Sequence, residues 1–208
     1  MEIYYWSPYL TNIATIKSVV RSAKSLGKFG SKKYNATILD SCGEWKFLKK
    51  NNFKVKIKSL VPFNFYNILP KEGFIQSRLS FIIIFIFNFF PLLFKMRKNK
   101  PEYLIIHLLT LLPIILSPLI YKKTKIILRI SGLPKLNFFR RLIWKFFSNF
   151  LFAITTPTTK TYNMLKQSGI FNEKKIKMLR DPIIENYEIN EKKKIQIDSK
   201  LRSINFYL

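Results

Sequence analysis

Short strand-like segments alternate with helical ones along most of this chain, and that alternation restricts its fold more than any other feature. Ile3–Trp6 is an apolar run that stops at Ser7-Pro8, the pattern of a first strand. After the loop Ser7–Asn12, Ile13, Ile16, Val19, Val20, Ala23 and Leu26 fall at helical spacing, with Lys17, Arg21, Lys24 and Lys28 on the opposite face. Thr11 or Asn12 can cap that helix and Gly27 can end it. Ala36–Leu39 predicts a second strand, closing on Asp40-Ser41-Cys42-Gly43, and Glu44–Asn51 a short helix. Phe53–Leu60 alternates Phe53, Val55 and Ile57 with Lys54, Lys56 and Lys58. A strand with one wet, lysine-bearing face suits a sheet edge.

Further along, Ser77–Lys98 predicts a long apolar helix, bent or interrupted near Pro91. Tyr103–His107, Lys125–Ile130, Phe152–Thr155 and Ile176–Leu179 predict further strands. Helices are expected between them at Leu111–Ile120, Phe138–Phe150 and Lys160–Ser168, with Asn137 and Thr158 as caps and Gly169 as a stop. In Phe138–Phe150 the stripe Phe139, Leu142, Ile143, Phe146, Phe147 and Phe150 is expected to face the core.

Continuous apolar strands separated by helices imply an α/β fold: a Rossmann-like, mostly parallel sheet with helices on both faces. Ligands of such sheets bind outside the carboxyl ends of the strands. The windows to inspect are therefore Ser7–Asn12, Asp40–Glu44, His107–Thr110, Arg129–Gly132, Thr156–Thr159 and Arg180–Asp181.

Composition narrows the chemistry. The 208 residues carry 37 Lys+Arg against 11 Asp+Glu, a formal net charge of +26. An anionic partner surface is expected, nucleic acid or acidic phospholipid. No RRM, KH or helix-turn-helix pattern occurs, so nucleic acid is not the expected partner. A single cysteine and a single histidine exclude an internal disulfide framework and any multi-His or Cys-rich metal site. No GxGxxG follows the first strand, and no GxxxxGK[ST], HExxH, CxxC or GxSxG is present, so no cofactor or metal is expected. Carboxylates are scarce and scattered, Asp40, Glu44, Glu72 and Glu102 among them, which disfavours paired-carboxylate hydrolysis.

Two stretches are very apolar: Leu79–Phe94 and Leu104–Tyr121. Each is near the lower length limit for a membrane span and each is interrupted by polar residues or proline. They are expected to be buried elements of the α/β fold; the alternative is a small basic membrane protein with two spans. Met1–Thr11 has no Lys or Arg and no long apolar run, so a cytoplasmic start is expected.

The ordered set of segments resembles the N-terminal half of a glycosyltransferase of family 4, an enzyme class with two Rossmann-like lobes (GT-B). The residues that carry this are the first strand and loop before IATIKSVVRSAKSL, the segment PEYLIIH, the strand end ILRISGLPKL, the TPT before a short helix, and MLRDPII. The resemblance covers roughly residues 1–184. Residues 185–208 are expected to be a linker followed by the opening strand of a second lobe that is cut off. In the family that second lobe holds the nucleotide-sugar donor through paired glutamates, and the first lobe presents the acceptor. The resemblance thus implies a retaining sugar transfer to a cell-surface polysaccharide or lipid-linked acceptor, with a nucleotide-sugar partner only if the second lobe is present. Two surfaces must close on each other, one stabilising the leaving diphosphate and one holding the acceptor hydroxyl.

By this resemblance His107 is the candidate catalytic residue, at the end of a buried strand; a core histidine bonded to backbone is the other possibility. Thr11, Asn12, Glu44, Arg129, Ser131 and Gly132 are candidate acceptor-binding residues. Thr11 and Asn12 take the place of the family's glycine-rich loop, where a helix start favours an anion, or they simply cap the helix. Arg129 either pairs with Asp181 or meets a phosphate in the cleft. Glu44 binds acceptor hydroxyls or is a solvated carboxylate at a helix start. Ser131-Gly132 stands where many relatives have His-Gly, and the glycine allows close backbone approach. The basic helix faces at Lys17–Lys28 and Arg140–Lys145, with the phenylalanines of Phe81–Phe94, suit a peripheral contact at the inner face of the cytoplasmic membrane.

Overall fold

The computed structural model describes residues 1–11, 14–29, 34–46, 55–108, 110–132 and 137–180. Its strands are β1 (Glu2–Trp6), β2 (Asn35–Asp40), β3 (Lys56–Ser59), β4 (Tyr103–Ile106), β5 (Lys125–Arg129), β6 (Ala153–Thr156) and β7 (Ile176–Met178). Its helices are α1 (Ala14–Phe29), α2 (Phe74–Asn99), α3 (Leu111–Ile120), α4 (Phe138–Ser148) and α5 (Thr159–Gln167). The strands form one seven-stranded sheet in the order β3-β2-β1-β4-β5-β6-β7. Every pairing is parallel. The fold is the α/β, Rossmann-like parallel sheet that the alternation of segments implies. β3, the lysine-bearing strand, does lie at an edge.

The central strands are apolar throughout because both sheet faces are covered. On one face Ile3, Tyr5 and Ile38 pack with Ile16, Val19, Val20 and Ala23 of α1. On the other, Tyr4, Trp6, Leu104, Ile106 and Leu128 pack with α2, α3 and α5 through residues such as Ile84, Leu92, Leu116 and Leu165. Two caps form as their residue types predict. The Asn137 side chain accepts from the Arg140 amide at 3.0 Å, and Thr158 accepts from the Thr161 amide at 3.2 Å. Gly169, at φ +63°, follows the end of α5.

Several expectations are revised. α1 continues through Gly27 to Phe29. α2 runs unbroken through Pro91, because Leu92, Leu93 and Met96 beyond the proline are buried and hold the helix on the sheet. In α3, Pro113 falls in the first turn, where no intrahelical N–H is needed. The apolar run 104–121 divides into β4 and α3, so it is not one span. α2 alone among the described helices is long and apolar enough to cross a membrane, by length and composition. In α4 the stripe expected to face the core faces outward: Phe139, Leu142 and Phe146 are 73%, 52% and 60% exposed. Trp144 and Phe147 make the helix's inward contacts instead. The predicted helix at Glu44–Asn51 and the domain boundary near residue 184 lie largely outside the described residues.

Candidate functional site at the carboxyl edge of the sheet

Parallel strands all end on the same edge, so the residues after β1, β2, β4, β5 and β6 converge there whatever their separation in sequence. Trp6 pairs with Ile106 and Ile106 with Leu128, which puts His107 and Arg129 side by side on neighbouring strands. Both point to the face that α1 covers, since alternate residues share a face and Tyr5, Ile105 and Ile127 form the row below.

His107 is 7% exposed. Its amide donates to the Trp6 carbonyl at 2.9 Å, and its ring stacks on Tyr5 with centroids 6.1 Å apart. Nε2 has no hydrogen-bond partner. Burial, and then the positive charge of Arg129, push its pKa down to about 3. The imidazole is therefore neutral at neutral pH. It can accept a hydrogen bond from a hydroxyl, but with its pKa so low it is a poor base and brings no charge of its own. Tyr5 is fixed in turn by its hydroxyl, 2.9 Å from Ser22 Oγ on α1.

Arg129 is also buried. Its guanidinium donates to the Leu179 carbonyl at 2.8 Å, which ties the end of β5 to the segment after β7. Asp181, the expected partner, lies outside the described residues. Thr155, paired in register with Arg129, is buried beside it.

Glu44 is buried, not solvated. One carboxylate oxygen accepts from the Ser41 amide at 3.1 Å and the Ser41 hydroxyl at 2.8 Å; the other accepts from the Cys42 amide at 2.8 Å and from its thiol. The carboxylate thus closes the turn after β2. Burial, and then the neighbouring Asp40, hold its pKa well above the usual carboxylate range. Asp40 accepts from the Gly43 amide at 2.9 Å and completes the turn. The expectation of a solvated carboxylate fails because this loop folds back on itself around the side chain.

Thr11 is exposed at the end of the first loop, and Asn12 lies outside the described residues. Ser131 and Gly132 are exposed beyond β5, and a side chain built at Gly132 would meet nothing within 4 Å. Close backbone approach therefore does not require a glycine there. The structure brings His107 and Arg129 together; it places Thr11, Ser131 and Gly132 on the surface and turns Glu44 inward.

Sequence reasoning passed over Ser7, Tyr5 and Thr156. Ser7 Oγ and Thr156 Oγ1 are fully buried and, like His107 Nε2, without a hydrogen-bond partner. Unmet buried atoms also occur away from this edge, at Glu102 and Thr124 among others, so Ser7, His107 and Thr156 are candidates for polar contact by their place at the strand ends. Ser7 and Thr156 lay inside the strand-end windows, but serine and threonine at strand ends are too common to stand out.

No family model matches the sequence, and no curated protein matches it. Solved structures do match. UDP-GlcNAc 2-epimerase from Neisseria meningitidis, bound to UDP-GlcNAc, superposes with a TM-score of 0.55 at 16% identity, covering 99% of this chain and 54% of that one. Another UDP-N-acetylglucosamine 2-epimerase gives 0.57 at 12% identity, covering 88% and 48%. The lipopolysaccharide outer core galactosyltransferase WaaB gives 0.53 at 10% identity, covering 89% and 47%. The chain has the fold of a single GT-B lobe. It spans about half the length of these structures.

Proposed function

We propose that this GT-B lobe is the acceptor-side half of a two-lobed, retaining glycosyltransferase that acts on a cell-surface polysaccharide or lipid-linked acceptor at the inner face of the cytoplasmic membrane. The observation that carries this is the edge of the sheet. There a neutral His107 with a free acceptor nitrogen lies beside the Arg129 cation, with the unmet hydroxyls of Ser7 and Thr156 on the same edge. In this reading His107 Nε2 accepts the hydrogen of an acceptor or sugar hydroxyl and so orients it. Thr11, Ser131 and Gly132 line the open rim. Contacts to the nucleotide diphosphate belong to a second lobe facing this one across the cleft, and both surfaces must close for transfer. The resemblance to family 4 and the half-length match to nucleotide-sugar enzymes support the reading.

The test is direct. The purified 208-residue chain is offered a panel of nucleotide-sugars with oligosaccharide and lipid-linked acceptors, and turnover and acceptor binding are both measured. No turnover is expected, with acceptor binding that weakens about tenfold or more in His107→Phe. Sugar transfer by the isolated chain, or acceptor binding indifferent to His107, overturns the proposal.

A further inference from the structure

The outer surface of the helical layer is more apolar than the carboxyl edge needs. α2 and α3 pack side by side, and α3 packs on α4. On α2, Ile82, Ile86, Phe90 and Phe94 recur every four residues and are 55–63% exposed, which makes one apolar line down the helix. That line spans roughly 20 Å at 1.5 Å per residue. Leu111 and Leu119 of α3 are each 52% exposed, and α4 adds Phe139 and Phe146. No charged residue occurs from Leu79 to Phe94 or from Leu111 to Ile120. An exposed apolar face of this extent marks an interaction surface.

Its rim is cationic. α2 and α3 both lead into strands, so their ends lie at the amino edge of the sheet, where Arg97, Lys98, Lys100, Lys122 and Lys123 are exposed. From Gly73 to Asn172 the only acidic residue is Glu102. A second copy of the chain set against this face would bring two cationic rims together. An acidic bilayer meets both the apolar face and its rim.

The layer also holds a cavity of about 210 Å³ at the carboxyl-edge end of α2, lined by Trp6, Phe81, Ile82, Phe85, Leu111 and Leu112. It is larger than the ~150 Å³ apolar cavity that takes a benzene molecule. Ile82 and Leu111 belong to both the cavity wall and the exposed face, so the cavity is continuous with the outer surface.

We propose that the outer face of α2, α3 and α4 seats the lobe in an acidic phospholipid bilayer, and that the cavity between α2 and α3 takes one hydrocarbon chain from it. Trp6 ends β1, so the cavity opens near the same strand edge as His107, on the opposite face of the sheet. The membrane contact stands on the surface alone. Use of the cavity by a lipid-linked acceptor rests on the function proposed above.

Vesicle sedimentation of the full chain tests the contact without any sugar transfer. Binding is expected on phosphatidylglycerol-containing vesicles and to be at least tenfold weaker on phosphatidylcholine alone. The double variant Ile86→Asp/Phe90→Asp should lose binding tenfold or more. The triple variant Lys98→Gln/Lys122→Gln/Lys123→Gln should lose it on acidic vesicles, by roughly fivefold per charge. Both should keep the wild-type circular dichroism, since all five positions are exposed. Bound chain should be released by alkaline carbonate. A phospholipid with a photoreactive acyl chain should label peptides containing residues 81–85 and 111–112. Equal binding to both vesicle types, carbonate resistance, labelling only elsewhere, or a dimer that Ile86→Asp/Phe90→Asp turns into monomers would each overturn the proposal.

Discussion

His107 and Glu44 are both buried titratable groups, and their effects on stability run in opposite directions. The folded chain keeps His107 unprotonated down to about pH 3, whereas the unfolded chain takes a proton near the ordinary imidazole value of 6.5. Between those values unfolding binds a proton, so this contribution to stability is lost as pH falls from about 6.5 towards 3. His107→Phe should flatten that acid limb, seen as a smaller drop in the urea midpoint between pH 7 and pH 4; an unchanged slope would refute the buried neutral state. Glu44 acts in reverse. Its folded pKa is raised above 4.5, so its contribution is present below that value and is lost as pH rises through the folded pKa. Glu44→Gln, a neutral isostere, removes this titration, so the urea midpoint should fall less between pH 6 and pH 9 than in the parent chain. In the same turn Gly43 sits at φ +101°, and a side chain there would collide with Asn64. Gly43→Ala should cost ~1–3 kcal/mol in urea unfolding. None of this was visible in the residues Asp40–Glu44 alone. A carboxylate two positions beyond a cysteine looks the same whether its loop opens to solvent or closes around it.

α2 is one helix with two opposed surfaces, and substitutions should divide accordingly. Leu92 is fully buried against the sheet, so Leu92→Ala should cost about 2–5 kcal/mol in thermal or urea unfolding. Phe90, two residues earlier and 61% exposed, should tolerate Phe90→Gln within about 0.5 kcal/mol. Equal costs would mean that the outer face is packed against something in solution. Element positions were legible because period and capping are local: Asn137, Thr158 and Gly169 mark helix ends through their own side chains or backbone freedom. Which face of α4 turns inward was not legible. Its phenylalanine stripe has the spacing of a core face, but the packing of α3 and the sheet leaves only Trp144, Phe147 and Ser148 turned towards the protein. The hydrophobic pattern states which residues avoid water, and says nothing of whether protein or lipid takes its place.

Across the whole molecule, the parallel sheet converts distant sequence windows into one edge. Strand–helix alternation in the sequence alone determined the fold class, the lysine-bearing strand as an edge, and the sheet edge on which the candidate residues converge. It did so because apolar period and turn residues are read from neighbours a few positions apart. Only tertiary structure decided that His107 sits neutral against Tyr5 and beside Arg129, that Ser7 and Thr156 hold unmet hydroxyls on the same edge, and that Glu44 is spent inside its own turn. Those facts depend on strand order, register and burial. They are set by contacts between residues tens of positions apart, which no local pattern encodes.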